Sequence, residues 1–375
     1  MNMATFALVP RVVIADQWAP YIAELKLTAE DVVFTVRPLR ARWIDALGVA
    51  ARVVCYEDFG HGEPTDEVID RIWDAVRSGP CRRIVAIGGG SVLDVAKIVA
   101  LKRTGTALQV FRKEVEIAKE IPLILIPTTC GTGSEVTNIA IAAIPSLGTK
   151  LGLAVDPLFA DQAVLCPELA AGLPEQVLVT SAIDALVHAM ESYLSPRSHA
   201  YPELFSVRAM EILLTRFRQF VSQGRMATVP DLIRDVMIAS NYAGIAFGNT
   251  GVGAVHALSY PLSGTYHVPH GEANSRFLLA VFRAYQALDP NGKIRDIEAL
   301  ITRIWGTEAS GRPWDDLEAL IDRLLPKKPL RDYGMPSSQI ADFAATVQST
   351  QQRLLANNYR PLTTQHIADI YTAIY

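Results

Sequence analysis

An α/β half built on a parallel sheet, followed by an all-helical half, is the fold class that this 375-residue sequence predicts. Three observations carry that reading. Short β-branched runs at 32–36, 53–56, 83–87, 123–126 and 151–155 alternate with stretches of helical periodicity, the pattern of a parallel sheet with crossover helices. After Cys166 strand signals become rare, and helical periodicity takes over at 175–195, 202–220 and 229–247. Between the halves, 167–174 contains two prolines and a glycine, which places a domain boundary there, 1–166 against 167–375, with a cleft expected at the junction.

Composition bounds what such a chain does. Half of it is apolar and a fifth charged, enough for two domains with ordinary cores. A formal net charge of -4 offers no basic stripe, which argues against a nucleic-acid partner. The four cysteines, Cys55, Cys81, Cys130 and Cys166, are scattered without zinc-ribbon or disulfide spacing, and this suits a reducing cytoplasm. Neither a cleavable leader nor a membrane span is expected.

In the first half, the strand at 83–87 runs directly into Gly88-Gly89-Gly90-Ser91 and then into a helical stretch holding Asp94 and Lys97. Glycines let a backbone approach an oxyanion, and the free N–H groups at the start of the following helix stabilise it. A triple glycine is also an ordinary strand-to-helix turn. A second polar loop follows the strand at 123–126: Pro127-Thr128-Thr129-Cys130-Gly131-Thr132-Gly133-Ser134-Glu135. Ligands of open α/β sheets bind beyond the carboxyl ends of strands, so two such loops can embrace one dinucleotide. Some of these hydroxyls can equally be helix caps. Cys130 has no identifiable partner for nucleophilic work and is read as filling space. Segments 145–149 and 326–329 read as surface loops.

In the second half, 175–195 has no internal Gly or Pro and carries Asp184 and His188 four residues apart, on one face of a helix. His256 and His270 follow in Gly-rich or Pro-containing contexts. Of seven histidines in the chain, four (His188, His256, His267 and His270) are the ones that a metal-site reading of these segments draws on. One carboxylate and three imidazoles suit Fe²⁺ or Zn²⁺ better than Ca²⁺ or Mg²⁺. An amphipathic helix with a surface Asp and an unrelated His has the same spacing. A purely structural metal site would favour cysteine ligands.

Taken together and in order, Gly88-Gly89-Gly90-Ser91 with Asp94 and Lys97, Pro127-Thr128-Thr129 to Gly133-Ser134-Glu135, Asp184 and His188, His256-Ala257 with Pro261-Leu262, and His270-Gly271 with Asn274 resemble the iron-containing (group III) alcohol dehydrogenases. The resemblance covers nearly the whole chain. It implies a Rossmann-like N-terminal domain that binds NAD(H) through Gly88, Gly89, Gly90, Ser91, Asp94, Lys97, Thr128, Thr129, Thr132, Gly133 and Ser134. It also implies an all-α C-terminal domain, with Asp184, His188, His256 and His270 holding Fe²⁺, or alternatively Zn²⁺, in an interdomain cleft. A homodimer or higher homo-oligomer is expected, with no nucleic-acid or membrane partner. Segments 240–249, 266–274 and 351–355, with Lys328-Pro329-Leu330-Arg331, resemble the branch of the family that interconverts succinate semialdehyde and 4-hydroxybutyrate.

Two departures from the family pattern bear on function. Many relatives end the corresponding early strand with an Asp that bonds the ribose 2′-hydroxyl, whereas Thr35-Val36-Arg37 stands here, and an arginine can accept a 2′-phosphate. Some relatives have a relay histidine four positions after the third metal ligand, where this chain has Tyr260. His267 is then a candidate for proton exchange or for orienting a ligand, beside Tyr260 itself.

The expected reaction is reversible hydride transfer between nicotinamide and a small aldehyde, with the metal polarising the carbonyl. Asn241 and Phe247, at helical spacing with Gly244, are candidate substrate contacts, and Arg197, Arg276 and Arg331 are candidates for the substrate carboxylate. Alternatives are a family member acting on another small aldehyde, such as a 1,3-propanediol type, a metal-dependent hydrolase, or a lyase of the dehydroquinate-synthase type. The hydrolase would not need the two cofactor loops. The lyase needs cations near its metal, and 241–274 contains no Lys or Arg.

Overall fold

The computed structural model describes residues 4–147, 149–223 and 231–375. Gly148, in the expected loop at 145–149, and Val229 and Pro230, at the start of the expected helix 229–247, lie outside the described residues. The chain divides into two compact units, Leu8–Leu173 and Pro174–Tyr375, the latter joined by residues 4–7.

In the first unit, β1 (Arg11–Ile14), β2 (Asp31–Thr35), β3 (Arg52–Cys55), β4 (Arg83–Gly88), β5 (Leu123–Pro127), β6 (Ile139–Ile144), β7 (Thr149–Ala154) and β8 (Gln162–Leu165) follow in sequence. Six of them form one parallel sheet in the order β1-β8-β5-β4-β2-β3. Around it run α1 (Trp18–Glu24), α2 (Arg37–Trp43), α3 (Asp66–Arg77), α4 (Gly90–Val99), α5 (Ala107–Phe111) and α6 (Pro167–Ala170). Strand residues alternate between two apolar layers. Val32, Phe34, Ile84, Ala86 and Leu125 join residues of α3 and α4, while Val33, Val85, Ile87, Ile124 and Ile126 join Trp18, Ile22 and Ile44. Because both faces are covered, these strands read as unbroken apolar runs.

Four of the five expected strands belong to this sheet. The fifth, expected at 151–155, is β7, which pairs antiparallel with β6 in a separate two-stranded sheet. The β6–β7 connection is too short for a parallel crossover and permits only a hairpin. β1, β6 and β8 were not anticipated.

The second unit is helical: α7 (Glu175–Leu194), α8 (Ala200–Gln223), α9 (Leu232–Thr250), α10 (Ala254–Tyr266) and α11 (His270–Leu288) are followed by α12 (Ile294–Trp305), α13 (Pro313–Leu324), α14 (Gln339–Thr350), α15 (Gln352–Leu355) and α16 (Thr364–Ala373). α7 packs against α8, α9 and α11. Every residue from Ala182 to Leu194 is buried. Its length and apolarity would suit a membrane span, but here they serve a core helix enclosed on all sides. Residues 4–7, expected with the α/β half, pack on this unit instead. The Phe6 ring stacks on Tyr201 at 5.4 Å and Phe205 at 5.8 Å, and the Ala7 N–H donates to Asn249 Oδ1 at 2.7 Å.

Candidate metal centre and cofactor loops

Asp184, His188 and Glu191 occupy positions i, i+4 and i+7 of α7 and therefore share one face of that buried helix. Such groups are costly in an apolar core unless each finds a partner. The Glu191 carboxylate spans two donors at the start of α10: the Val255 N–H at 2.6 Å from Oε1 and the His256 Nδ1–H at 2.6 Å from Oε2. With Nδ1 engaged, the lone pair of His256 lies on Nε2. That atom is 2.9 Å from His188 Nε2 and 3.7 Å from Asp184 Oδ1. The His188 ring is held between Phe247, 4.3 Å away, and His256, 4.6 Å away, both stacked.

His270 opens α11, and its Nε2 lies 3.8 Å from Asp184 Oδ1. The approach depends on Gly271, where a Cβ would stand 2.4 Å from the Thr180 carbonyl oxygen of α7, so only glycine lets the two helices meet this closely. One turn on, Asn274 Nδ2 donates to Asp184 Oδ1 at 2.7 Å and lies 3.2 Å from His270 Nε2. Asn274 is wholly buried, yet its Oδ1 has no hydrogen-bond partner among the described residues.

The donor atoms of Asp184, His256 and His270 lie within 4.8 Å of one another, and His188 Nε2 adjoins them. Ligands bonded to one ion at about 2.1 Å stand roughly 3–3.5 Å apart, so the four donors fit a single divalent transition ion. Burial alone would raise the Asp184 pKa, but His188, His270, His256 and Asn274 outweigh it and hold the carboxyl below its ordinary value. For His256, burial works to lower the pKa, and Glu191 with Asp184 reverses it, leaving a net rise. The site is built around a carboxylate kept ionised.

Tyr260, one turn after His256 on α10, brings its ring to 6.2 Å from that of His270. His267 caps the far end of the same helix in the left-handed conformation (φ 53°), with its side chain exposed, outside the ring contacts that join His188, His256, His270 and Tyr260. Phe247 walls the cluster through His188, and Asn241 is buried on α9. The arginine candidates go elsewhere. Arg276 and Arg331 line a groove of about 670 Å³ walled by α11, α13 and α16, which none of the four metal-directed residues lines. On α11, Arg276 is turned about 120° from His270 and about 160° from Asn274 around the helix axis, six and two residues at about 100° each. Arg197 is exposed beyond the end of α7.

In the first unit, β4 and β5 are adjacent and parallel, Gly88 opposite Pro127, so their loops emerge together at the carboxyl end of the sheet. β2 leads outward to β3 and β4 outward to β5 on the other side, which makes the β2–β4 boundary the point where strand order reverses. Gly89 precedes α4 and no side chain caps that helix, leaving its first N–H groups open. At Gly90 a Cβ would stand 2.7 Å from Thr132 Cγ2, so the two loops touch only because that residue is glycine.

Gly89, Gly90, Thr129 and Thr132 are half-buried and Ser91 is exposed, whereas Gly88, Thr128, Gly133 and Ser134 are buried. Lys97, expected among the cofactor contacts, is fully enclosed beneath the loops. Its Nζ donates to Ser134 Oγ at 2.7 Å, Thr137 Oγ1 at 3.2 Å and the Ile139 carbonyl at 2.7 Å, and lies 3.4 Å from Asp94 Oδ1. Asp94 also accepts from Ser134 Oγ at 2.6 Å and from the Ile141 N–H at 3.1 Å. Burial pulls the Lys97 pKa down, against the pull of Asp94. These two residues brace the loops from below. Burial pushes the Cys130 thiol up to about 12, which makes it inert as a nucleophile.

Residues 24–167 match the sequence profile of the iron-containing alcohol dehydrogenases, and residues 178–375 match that of the C-terminal region of the Fe-containing alcohol dehydrogenase family. The chain belongs to the iron-containing alcohol dehydrogenase family. It is 45% identical over 373 residues to the 4-hydroxybutyrate dehydrogenase of Clostridium kluyveri, covering 100% of both chains. It is 34% identical over 331 residues to long-chain-alcohol dehydrogenase 1 of Geobacillus thermodenitrificans, covering 84% of this chain and 80% of that one. Among solved structures, the fold superposes on sulfoacetaldehyde reductase from Bifidobacterium kashiwanohense in complex with NAD+, with a TM-score of 0.85 at 23% identity over 100% of this chain and 99% of that one.

The site of this family member includes two residues whose roles the sequence did not disclose, Glu191 and Asn274. The only sequence signal for Glu191 was its i+7 spacing from Asp184.

Proposed function

We propose that the protein reversibly reduces succinate semialdehyde to 4-hydroxybutyrate with NADH. The observation that carries the reading is the convergence of one carboxylate and three imidazole nitrogens from α7, α10 and α11 in a chain that aligns end to end with a 4-hydroxybutyrate dehydrogenase. Asp184, His188, His256 and His270 would hold a divalent ion, Fe²⁺ or, failing that, Zn²⁺. Such an ion acts as a Lewis acid toward the substrate oxygen.

The protein's own groups do the rest. Glu191 fixes the His256 tautomer and keeps Nε2 free to ligate. Asn274 orients the Asp184 carboxylate. Phe247 forms the apolar side, Asn241, buried on α9, is the proposed polar contact to substrate, and Tyr260, beside His270, is the side chain proposed to exchange the proton at the substrate oxygen. Ser91, Thr129 and Thr132, with the open N–H groups of α4, receive the cofactor diphosphate, while Gly88, Gly89, Gly90 and Gly133 give the loops their shape. Lys97 and Asp94 hold Ser134, and through it the second loop. None of Arg197, Arg276 and Arg331 is assigned to the substrate carboxylate.

As parts of the same proposal, the unit Leu8–Leu173 binds the dinucleotide, and the unit Pro174–Tyr375 with residues 4–7 binds metal and substrate, in place of the expected division 1–166 and 167–375. The chain works in a reducing cytoplasm as a homodimer or larger homo-oligomer, without nucleic acid or membrane. The four free cysteines suit that compartment; light scattering measures the assembly.

The test is anaerobic purification with metal analysis, then NADH oxidation against succinate semialdehyde, propanal and 3-hydroxypropanal. The highest kcat/KM is expected with succinate semialdehyde. Preference for an uncharged aldehyde would redirect the substrate reading, and no oxidation of NADH or NADPH by metal-replete protein would sink it entirely.

A further inference from the structure

Beyond β2 and β3, the carboxyl edge of the sheet carries a charge arrangement that the reaction does not use. These strands are parallel neighbours, Thr35 opposite Cys55, so the residues that follow them stand side by side. Arg37 opens α2, and Glu57 and Asp58 lie in the 3-10 turn Tyr56–Asp58. The Arg37 guanidinium binds Asp58 Oδ1 through Nη2 at 2.5 Å and Nε at 3.2 Å, while its main-chain N–H donates to Glu57 Oε2 at 3.0 Å. One turn on, Arg40 Nε donates to Asp45 Oδ1 at 3.0 Å. Arg37 and Arg40 are therefore committed to carboxylates, while Arg42, the third arginine of α2, lies over the Trp43 ring and against Gly172, so at the strand ends one guanidinium faces the two carboxylates of Glu57 and Asp58. Arg37 and Asp58 remain open to solvent, their side chains 66% and 44% exposed, so a ligand can reach them.

The position matters because β2 lies beside β4, with Thr35 Oγ1 donating to the Ile87 carbonyl at 2.8 Å. If the proposed NADH site is right, a dinucleotide whose diphosphate rests on the Gly88–Ser91 loop points its adenosine ribose along the strand ends toward β2. In that place an unengaged arginine would accept a 2′-phosphate, and a carboxylate would accept a hydrogen bond from a 2′-hydroxyl.

We infer that Asp58, by engaging Arg37, and Glu57 beside it set the preference of this enzyme for a free ribose 2′-hydroxyl over a 2′-phosphate. The discriminating carboxylate comes from the end of β3, and the β2 end itself contributes an arginine. Asp58 masks that cation and, with Glu57, leaves the edge negative.

Titration of the metal-loaded enzyme with NADH and NADPH, followed by protein fluorescence, tests this without turnover, and kcat/KM with each coenzyme gives a second readout. Asp58→Asn should improve NADPH binding relative to NADH by about tenfold, the scale of one charge-assisted phosphate contact. NADH affinity should change by less than about threefold. Arg37→Ala alone should not strengthen NADPH binding, and in the Asp58→Asn background it should abolish the gain. With NADH binding intact, an unmoved ratio in Asp58→Asn, or a gain that survives loss of Arg37, overturns the inference alone. Failure of the unsubstituted enzyme to bind NADH overturns the underlying reading as well. The exposed Arg37–Asp58 pair contributes little to stability, so the variants are expected to fold.

Discussion

In the sheet unit the candidate site is made mostly of backbone, and in the helical unit mostly of side chains. Around Gly88 to Ser91 the useful groups are N–H donors at the start of α4, and the side chains beneath them, Lys97 and Asp94, are spent on holding loops together. Around Asp184 the useful groups are a carboxylate and three imidazoles enclosed by helices, each oriented by another polar side chain or a ring. The difference follows from where each fold leaves polar groups unpaired. A parallel sheet offers strand ends and helix N-termini, whereas the interior of a helix satisfies its own backbone and offers only side chains. One region tolerates changes of side chain and resists added bulk. The other resists changes of side chain and, at Gly271, added bulk as well.

Removing a ligand should break the second region most completely. Asp184→Ala is expected to lose bound metal together with roughly a thousandfold or more of kcat/KM, since Lewis-acid stabilisation is worth several kcal/mol. Metal content and turnover measured on one preparation decide it, because retained metal at full activity would remove Asp184 from the ligand set. Glu191→Gln should weaken metal affinity by about 10- to 100-fold and leave the fold intact, which competition with a chelator measures. An unchanged affinity would mean that the contact with His256 only fills the core.

Gly90→Ala sharpens the contrast from the other side. The added Cβ meets Thr132 at 2.7 Å, and overpacking of this kind costs about 1–3 kcal/mol. NADH affinity and thermal stability should fall while metal content stays whole; metal loss in this variant would show that the two sites are not independent. The smallest effect lies at the other end of β2. Asp31 is buried, and although burial raises its pKa, Arg82, the Thr28 N–H and Arg83 bring it below the ordinary value. A depressed folded-state pKa contributes stability above the unfolded value of about 3.9 that is lost as pH falls through the folded value. Asp31→Asn should therefore unfold at lower urea than the parent at pH 7, the gap closing below pH ~3.9 with KM for NADH unchanged. A gap that persists in acid would trace the effect to packing.

Much of this was legible before folding. The Gly-rich loops follow apolar runs directly, a local relation that survives in β4–α4 and β5. Asp184 and His188 share a face by helical geometry alone, and histidine is rare enough in this chain that His256 and His270 stood out. Other relations have no local signature. Glu191 sits in an apolar helix where a lone carboxylate suggests nothing until α10 brings Val255 and His256 against it. Arg37 looked like a free cation because Asp58 belongs to the next strand, and strand adjacency is a tertiary fact. Arg276 and Arg331 looked available to a substrate until α11 turned one side to the metal cluster and the other to a separate groove. Sequence by itself determined which residues could bind metal and phosphate, because residue chemistry and short-range spacing are written in order along the chain. Tertiary structure alone decided which charges are engaged and which nitrogen of each imidazole faces inward, because those depend on partners that only packing brings together.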